Sequence, residues 1–195
     1  MLPGVKNMKE VLDAYAAMHP DENIDAVKNF VIDCDNDSQL YDRKNFNGHV
    51  TTSALVINSD DQMLFVIHAV FNKLLPPGGH VESGDDSLKA ASMRETKEET
   101  GIEGEDLVYL PADSANPELP FDINSHPIPE HPQKKEPPHT HHDLRYVFRY
   151  TGNGKIVPDK DETKGAECVS IYELENVSDM STVLHKLDSL LRKKI

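Results

Sequence analysis

The stretch from Gly78 to Ile102, GGHVESGDDSLKAASMRETKEETGI, constrains this chain more than any other. A Gly-Gly pair follows Pro76-Pro77, a break where backbone can come close to a neighbouring group because no Cβ intervenes. Ser87 to Thr100 then reads as a helix, with Ser87 or Asp86 as its N-cap and Gly101 as the residue that ends it. On that helix Glu95 and Glu99 are four apart and Glu95 and Glu98 three apart, so the three carboxylates share one side of the rod. Like charges at those spacings repel by about 0.2–0.5 kcal/mol per pair. A hard cation such as Mg²⁺ or Mn²⁺ reverses the penalty, since it takes oxygen ligands from carboxylates and phosphates. A solvated acidic face is the plain reading of three Glu alone; the Gly-Gly break and Arg94 among the acids weigh against it.

Between Glu82 and Asp106 nine acids stand against three bases, so −6 of the chain's net charge of −14 lies in that segment. The excess of 34 acids over 20 Lys and Arg argues against a surface built for long nucleic acid or an anionic membrane. A phosphate-bearing ligand would need a divalent cation as intermediary. The longest apolar runs fall short of the ~20 residues needed to span a bilayer, and the N-terminus has no apolar signal region. Cys34 and Cys168, 134 positions apart, show neither a disulfide framework nor a zinc spacing. The expectation is a soluble, cytoplasmic protein.

Around the acidic helix the texture is regular. Val5, Met8, Leu12, Tyr15 and Met18 form one helical stripe, Pro20-Asp21 interrupts it, and Ile24, Val27, Phe30 and Val31 mark a second helix. A polar stretch over 35–47 leads to HVTTSALVIN, a turn at Ser59-Asp60-Asp61, and QMLFVIHAVF, a strand pair. Further strands are expected over 106–110, 121–125, 141–151 and 166–172, and an amphipathic helix over 179–194 closes the chain. Strands before, between and after one central helix predict an α/β fold with a mixed sheet covered by helices on both faces.

The Gly78–Ile102 segment resembles the Nudix hydrolase family, whose box is written G-x5-E-x7-R-E-U-x-E-E-x-G-U, U being aliphatic. The second half matches as Arg94-Glu95-Thr96-Lys97-Glu98-Glu99-Thr100-Gly101-Ile102, with Thr96 where an aliphatic residue is usual. The first half begins at Gly79, but the acid six positions on is Asp85, nine positions before Arg94, so one residue is inserted ahead of the helix. Taking Asp86 as the acid restores the second gap and lengthens the first. The runs leading to LPPGGHVE and the later DINSHPIP and EPPHTHHDLRY extend the similarity from about Asn47 to Tyr172. The resemblance implies a Nudix-like α/β/α sandwich over 47–195, with residues 1–46 an N-terminal helical extension. It also implies hydrolysis of a phosphoanhydride in a nucleoside diphosphate linked to another group, water being the nucleophile. By the same resemblance Glu95, Glu98 and Glu99 are metal ligands with the Gly79 carbonyl, Arg94 holds a carboxylate in place, and Glu95 or a later acid handles the water.

Outside the box, Glu167 stands where some members of that family supply another acid, an exposed acid on a strand being an equal reading, and Glu82 has the same status. In a strand from His139 to Tyr150 the odd positions His139, His141, Asp143 and Arg145 are polar and the even ones mainly apolar, which predicts that the polar set lines a substrate cleft. The competing readings are a solvent-facing set and a transition-metal site on His126, His131, His139 and His141. Lys134 and Lys135 are candidates to assist with phosphate. The leading function is thus a Mg²⁺- or Mn²⁺-dependent pyrophosphatase for a small nucleotide-type substrate. A Nudix-type module that senses a nucleotide without cleaving it is the alternative. Isomerisation of a prenyl diphosphate lacks a suitably placed cysteine. The N-terminal hairpin has three roles open to it: capping the cleft, forming a homodimer contact or covering a face of the sheet.

Overall fold

The computed structural model describes residues 2–69, 72–131, 135–159, 163–177 and 180–192. Its centre is β1 (His49–Ile57), buried along its whole length and paired in parallel with β7 (His139–Tyr150), from His49 opposite His141 to Ile57 opposite Arg149. On its other side β1 meets β2 (Gln62–His68) at Ile57 and Met63, after a turn in which Asp61 takes a positive φ. The two strands then part. Into the space beside β1 comes the three-residue β4 (Gly78–His80), antiparallel, with Thr52 opposite Gly79 and Thr51 opposite His80. β2 carries β3 (Leu74–Leu75) and β8 (Thr163–Ser170), while β5 (Leu107–Tyr109) and β6 (Asp122–Ile128) pair with β7.

Strand alternation sorts side chains to two faces. Val50, Ala54 and Val56 of β1 with Leu144, Tyr146 and Phe148 of β7 join one apolar cluster with α1 (Val5–Met18), α2 (Asp25–Asp33) and α3 (Leu88–Thr100). Leu55 and Ile57 with Val147 join the other, under α4 (Ser181–Arg192). The mixed sheet with helices on both faces is therefore as the sequence predicts. The N-terminal hairpin covers a face: Met8, Leu12, Tyr15, Val27 and Val31 are fully or almost fully buried in the same cluster as the strands.

Strand β7 is more enclosed than its alternation suggests, because both faces of the sheet are covered. Arg145, 4% exposed, donates from Nη1 to Asp122 (3.1 Å) and from Nε to Asp143 (3.0 Å). Asp122 in turn accepts from Lys186 of α4 at 2.6 Å, and Lys186 also reaches Tyr15 and Glu22 of the hairpin region at 2.8 and 2.9 Å. Removing one member of such a buried set leaves an uncompensated charge, at a cost of about 3–5 kcal/mol.

Candidate active site

The acidic helix forms as its caps dictate. The Ser87 hydroxyl accepts from the Ala90 N–H at 3.1 Å, and Gly101, at φ 71°, takes the left-handed conformation that ends the helix. Thr96, in the place of an aliphatic residue, satisfies its buried hydroxyl by donating to the Ser92 carbonyl at 2.7 Å. The Thr52 hydroxyl lies within hydrogen-bonding distance of the Leu88 and Leu144 carbonyls (3.1 and 2.9 Å), which pins the start of α3 to the middle of β1.

Arg94 is the hub. Its Nε and Nη2 donate to the two oxygens of Asp85 at 3.0 and 3.1 Å, its Nη1 to Glu95 and Glu98 at 3.0 and 2.9 Å, and its Nη2 also to the His80 carbonyl at 2.8 Å. The bond to Asp85 and then the charge of Glu95 push the guanidinium pKa above its usual value, so it stays cationic. The acid that meets Arg94 is Asp85, while Asp86 is exposed. Asp85 Oδ2 also accepts from the Glu82 N–H at 2.8 Å, closing a tight turn. The inserted residue is taken up in that turn, which brings a short acid as near the helix as a longer one would come from a straighter loop. Glu82 itself is exposed.

The Gly-Gly pair fits against the same helix. Gly78 N–H donates to Glu99 Oε2 at 2.9 Å, and a Cβ on Gly79 would stand 2.6 Å from Glu95 Oε2. Only a residue without a side chain leaves the Glu95 carboxylate against the β4 backbone. Glu95 and Glu99 are 9% and 6% exposed, whereas Glu98 is open to solvent. The chemistry of the set is three carboxylates and a neighbouring backbone carbonyl, all hard oxygens with one guanidinium among them, which fits Mg²⁺ or Mn²⁺.

The other candidate residues lie on the opposite face. Asp143 and Arg145 face one another and Asp122, and Asp143 also accepts from the Ser53 hydroxyl at 2.8 Å, so their charges serve the interior of the sheet. His139 and His141 join His49 and His80, which the spacing of the sequence had not singled out. Only the parallel register of β1 with β7 and the short β4 bring these rings together. Burial, and then the surrounding imidazoles, push the His141 pKa down to about 2. His49 is fully buried and its Nε2 has no hydrogen-bond partner, an arrangement that costs about 1–3 kcal/mol. Glu167 is exposed on β8 opposite Phe65, on the face away from α3. His131 pairs with Glu136 through an isolated bridge, apart from the strand of His139 and His141. Lys135 is exposed, and Lys134 lies outside the described residues.

A cleft of ≈ 590 Å³ opens between Lys73–Leu75, immediately ahead of the Gly-Gly break, and Asn124–Pro129 on β6 and its end. Among the described residues its lining includes Lys73, Asn124, Ser125 and His126, and neither Asp143 nor Arg145 belongs to it.

The sheet, the capped acidic helix and the Gly-Gly, Arg and Glu constellation define a Nudix-type fold. The NUDIX domain model matches residues 48–187, and the chain belongs to that family. It is similar to a probable DHNTP pyrophosphohydrolase of Lactococcus lactis subsp. cremoris, 34% identical over 99 residues that make up 51% of this chain and 52% of that one. The match thus spans about half the length of that curated relative. Among solved structures it resembles the C. elegans Ap4A hydrolase in a binary complex (TM-score 0.56, 16% identity, 74% of this chain and 98% of that one). It also resembles the E. coli dihydroneopterin triphosphate pyrophosphohydrolase (TM-score 0.54, 16% identity, 73% and 95%). At those identities the likeness is one of fold. No helix among the described residues is long and apolar enough to cross a membrane.

Proposed function

We propose that the protein is a metal-dependent pyrophosphohydrolase, cleaving a phosphoanhydride bond in a nucleotide-like polyphosphate with water as nucleophile. The observation that carries this reading is the hub at Arg94, which holds Asp85, Glu95 and Glu98 around one guanidinium while Glu99 is tied to Gly78. A merely solvated acidic face would not bury two of its glutamates against a glycine strand.

Glu95, Glu98 and Glu99 with the Gly79 carbonyl would hold Mg²⁺ or Mn²⁺. Such an ion supplies neutralisation of phosphate charge and a more acidic water. The chain's own residues do the rest. Arg94 fixes the orientation of Glu95 and Glu98, and Asp85 fixes Arg94. A carboxylate of this set takes the proton of the attacking water as the new P–O bond forms and the bridging P–O bond breaks, with Glu95 the first candidate. The cleft beside Lys73 and Asn124 takes the group attached to the phosphates. The names of the similar proteins, a dihydroneopterin triphosphate pyrophosphohydrolase and an Ap4A hydrolase, favour a heteroaromatic group on a polyphosphate chain.

The test is a panel of dihydroneopterin triphosphate, nucleoside triphosphates, dinucleoside polyphosphates, nucleotide sugars and capped RNA, with Mg²⁺ or Mn²⁺. At least one should be cleaved, and Glu99→Gln should lower kcat by roughly 100-fold or more, the scale of losing one transition-state stabiliser. Turnover without metal, an undiminished Glu99→Gln, or tight binding of a panel member with no product over hours overturns the proposal.

A further inference from the structure

We propose that His49, His139 and His141 form a binding site for one borderline-soft divalent transition metal ion, Zn²⁺ or its Co²⁺ surrogate, on the face of the sheet away from α3. One ring nitrogen from each of the three lies within 4.8 Å of the others. One pair, His139 Nε2 and His141 Nε2, is 3.2 Å apart. The edge of a tetrahedron with zinc–nitrogen bonds of 2.0–2.1 Å is about 3.3 Å, so that pair already has the spacing of two ligands. Every pair lies within 4.8 Å, so ring rotation of at most about 1.5 Å brings the others to the same edge.

The tautomers point the same way. His139 Nδ1 lies 2.8 Å from the Pro137 carbonyl and His49 Nδ1 3.4 Å from the Asn45 carbonyl. A carbonyl only accepts, so each Nδ1 carries the proton and each Nε2 presents its lone pair inward. This is how outer partners orient metal-binding histidines. Without an ion the set cannot satisfy itself. His139 Nε2 accepts from His141 Nε2, and His49 Nε2, fully buried, then has no partner at all. One cation would take the Nε2 lone pairs of His139 and His49 and, once the His141 proton sits on Nδ1, that of His141 Nε2 as well.

The site is built by the sheet rather than by a loop: His49 and His141 are paired in the parallel register and His139 lies two residues back on the same face. His80 and His126 flank it, with ring centroids 5.3 and 5.8 Å from His141. Three nitrogens leave one position of a tetrahedral ion to water or to a ligand oxygen. His126 also lines the cleft, so the histidine cluster lies beside it. Imidazoles favour Zn²⁺ over Mg²⁺, whereas the carboxylates of α3 favour the reverse, so the two sites are separable by metal.

The experiment is a titration of the metal-stripped full chain with Co²⁺ and then Zn²⁺, in excess Mg²⁺, followed by the visible absorption of tetrahedral Co²⁺ and by calorimetry. One equivalent is expected to bind to the wild type with a tetrahedral Co²⁺ spectrum. His139→Gln and His141→Gln, each checked for an intact thermal transition, should weaken Zn²⁺ binding by more than the roughly 10–100-fold that loss of an outer partner costs. Glu98→Gln should leave it unchanged. Absence of stoichiometric binding to the wild type overturns the proposal without recourse to any variant. Binding that survives both histidine changes, or that is lost in Glu98→Gln, also overturns it, since the ion would then sit elsewhere. Because the readout is metal binding, its outcome is independent of whether any substrate in the panel is cleaved.

Discussion

Two consecutive residues of β4 face opposite chemistries. Gly79, paired with Thr52, lies against α3, where Arg94 gathers Asp85, Glu95 and Glu98. His80, paired with Thr51, stacks on His49 among the imidazoles of the other face. Both sites depend on a strand of three residues, yet one is made of oxygens and charge and the other of imidazole nitrogens. The difference teaches that what a region binds is set by which face its strand presents, and not by how near its residues are in sequence. On the helix side Asp85, Glu95 and Glu98 share one guanidinium and so remain short of positive charge. On the other side the formal charges of Asp122, Asp143, Arg145 and Lys186 are already matched among themselves, and what is left wanting is a partner for lone pairs.

The largest expected effect tests whether the second face is structural where its charges lie. Arg145→Met removes the only side chain that bridges Asp122 and Asp143 among the described contacts, and should lower unfolding free energy by about 3–5 kcal/mol in denaturant titration. A loss below 1 kcal/mol would show that those aspartates find other partners, as a more open, cleft-like face would allow.

Next in size is the glycine on the first face. In Gly79→Ala the new methyl would press on the end of the Glu95 side chain, which can swing away, so the fold should persist while the carboxylate leaves its place. Activity should then require a roughly 10–100-fold higher Mn²⁺ concentration for half activation, with little change in thermal midpoint. The same experiment on the histidine side should show no change in Zn²⁺ affinity, which would sharpen the separation of the two sites.

Much of the first face was legible in the sequence, because each element there obeys a local rule. The cap at Ser87, the stop at Gly101 and the spacing of Glu95, Glu98 and Glu99 need only the periodicity of one helix. The second face was not legible in the same way. The alternation of β7 correctly separates His139, His141, Asp143 and Arg145 from Leu144, Tyr146 and Phe148, but alternation cannot say what covers the polar side. That depends on α4, β6 and the register with β1, all distant in sequence, and they place Asp143 and Arg145 in the interior. His49 and His80 were invisible for the same reason: neither has a neighbour in the chain that hints at a cluster. β4, at three residues, is too short to carry a period, and its Pro-Pro-Gly-Gly context reads only as a break.

The smallest of these effects concerns the one departure from the family pattern on the first face. Asp85 acts at a distance from any reacting atom: it accepts from Arg94 through both oxygens and from the Glu82 N–H, and Arg94 then sets Glu95 and Glu98. In Asp85→Asn one oxygen becomes an amide that donates, so in either orientation it opposes an Arg94 N–H, and in one of them the Glu82 N–H too, and the fork opens. The carboxylates of α3 remain in place but lose their fixed orientation, and kcat/KM should fall by about 10-fold with the metal requirement only slightly raised. Asp85→Glu separates the two explanations of the shorter acid. If the turn at Glu82 has taken up the inserted residue, the extra methylene has no room on the Arg94 side and Glu does no better than Asn. Should Asp85→Glu instead match or exceed the wild type, the turn is not what sets the reach of this acid, and Arg94 is held mainly by Glu95, Glu98 and the His80 carbonyl.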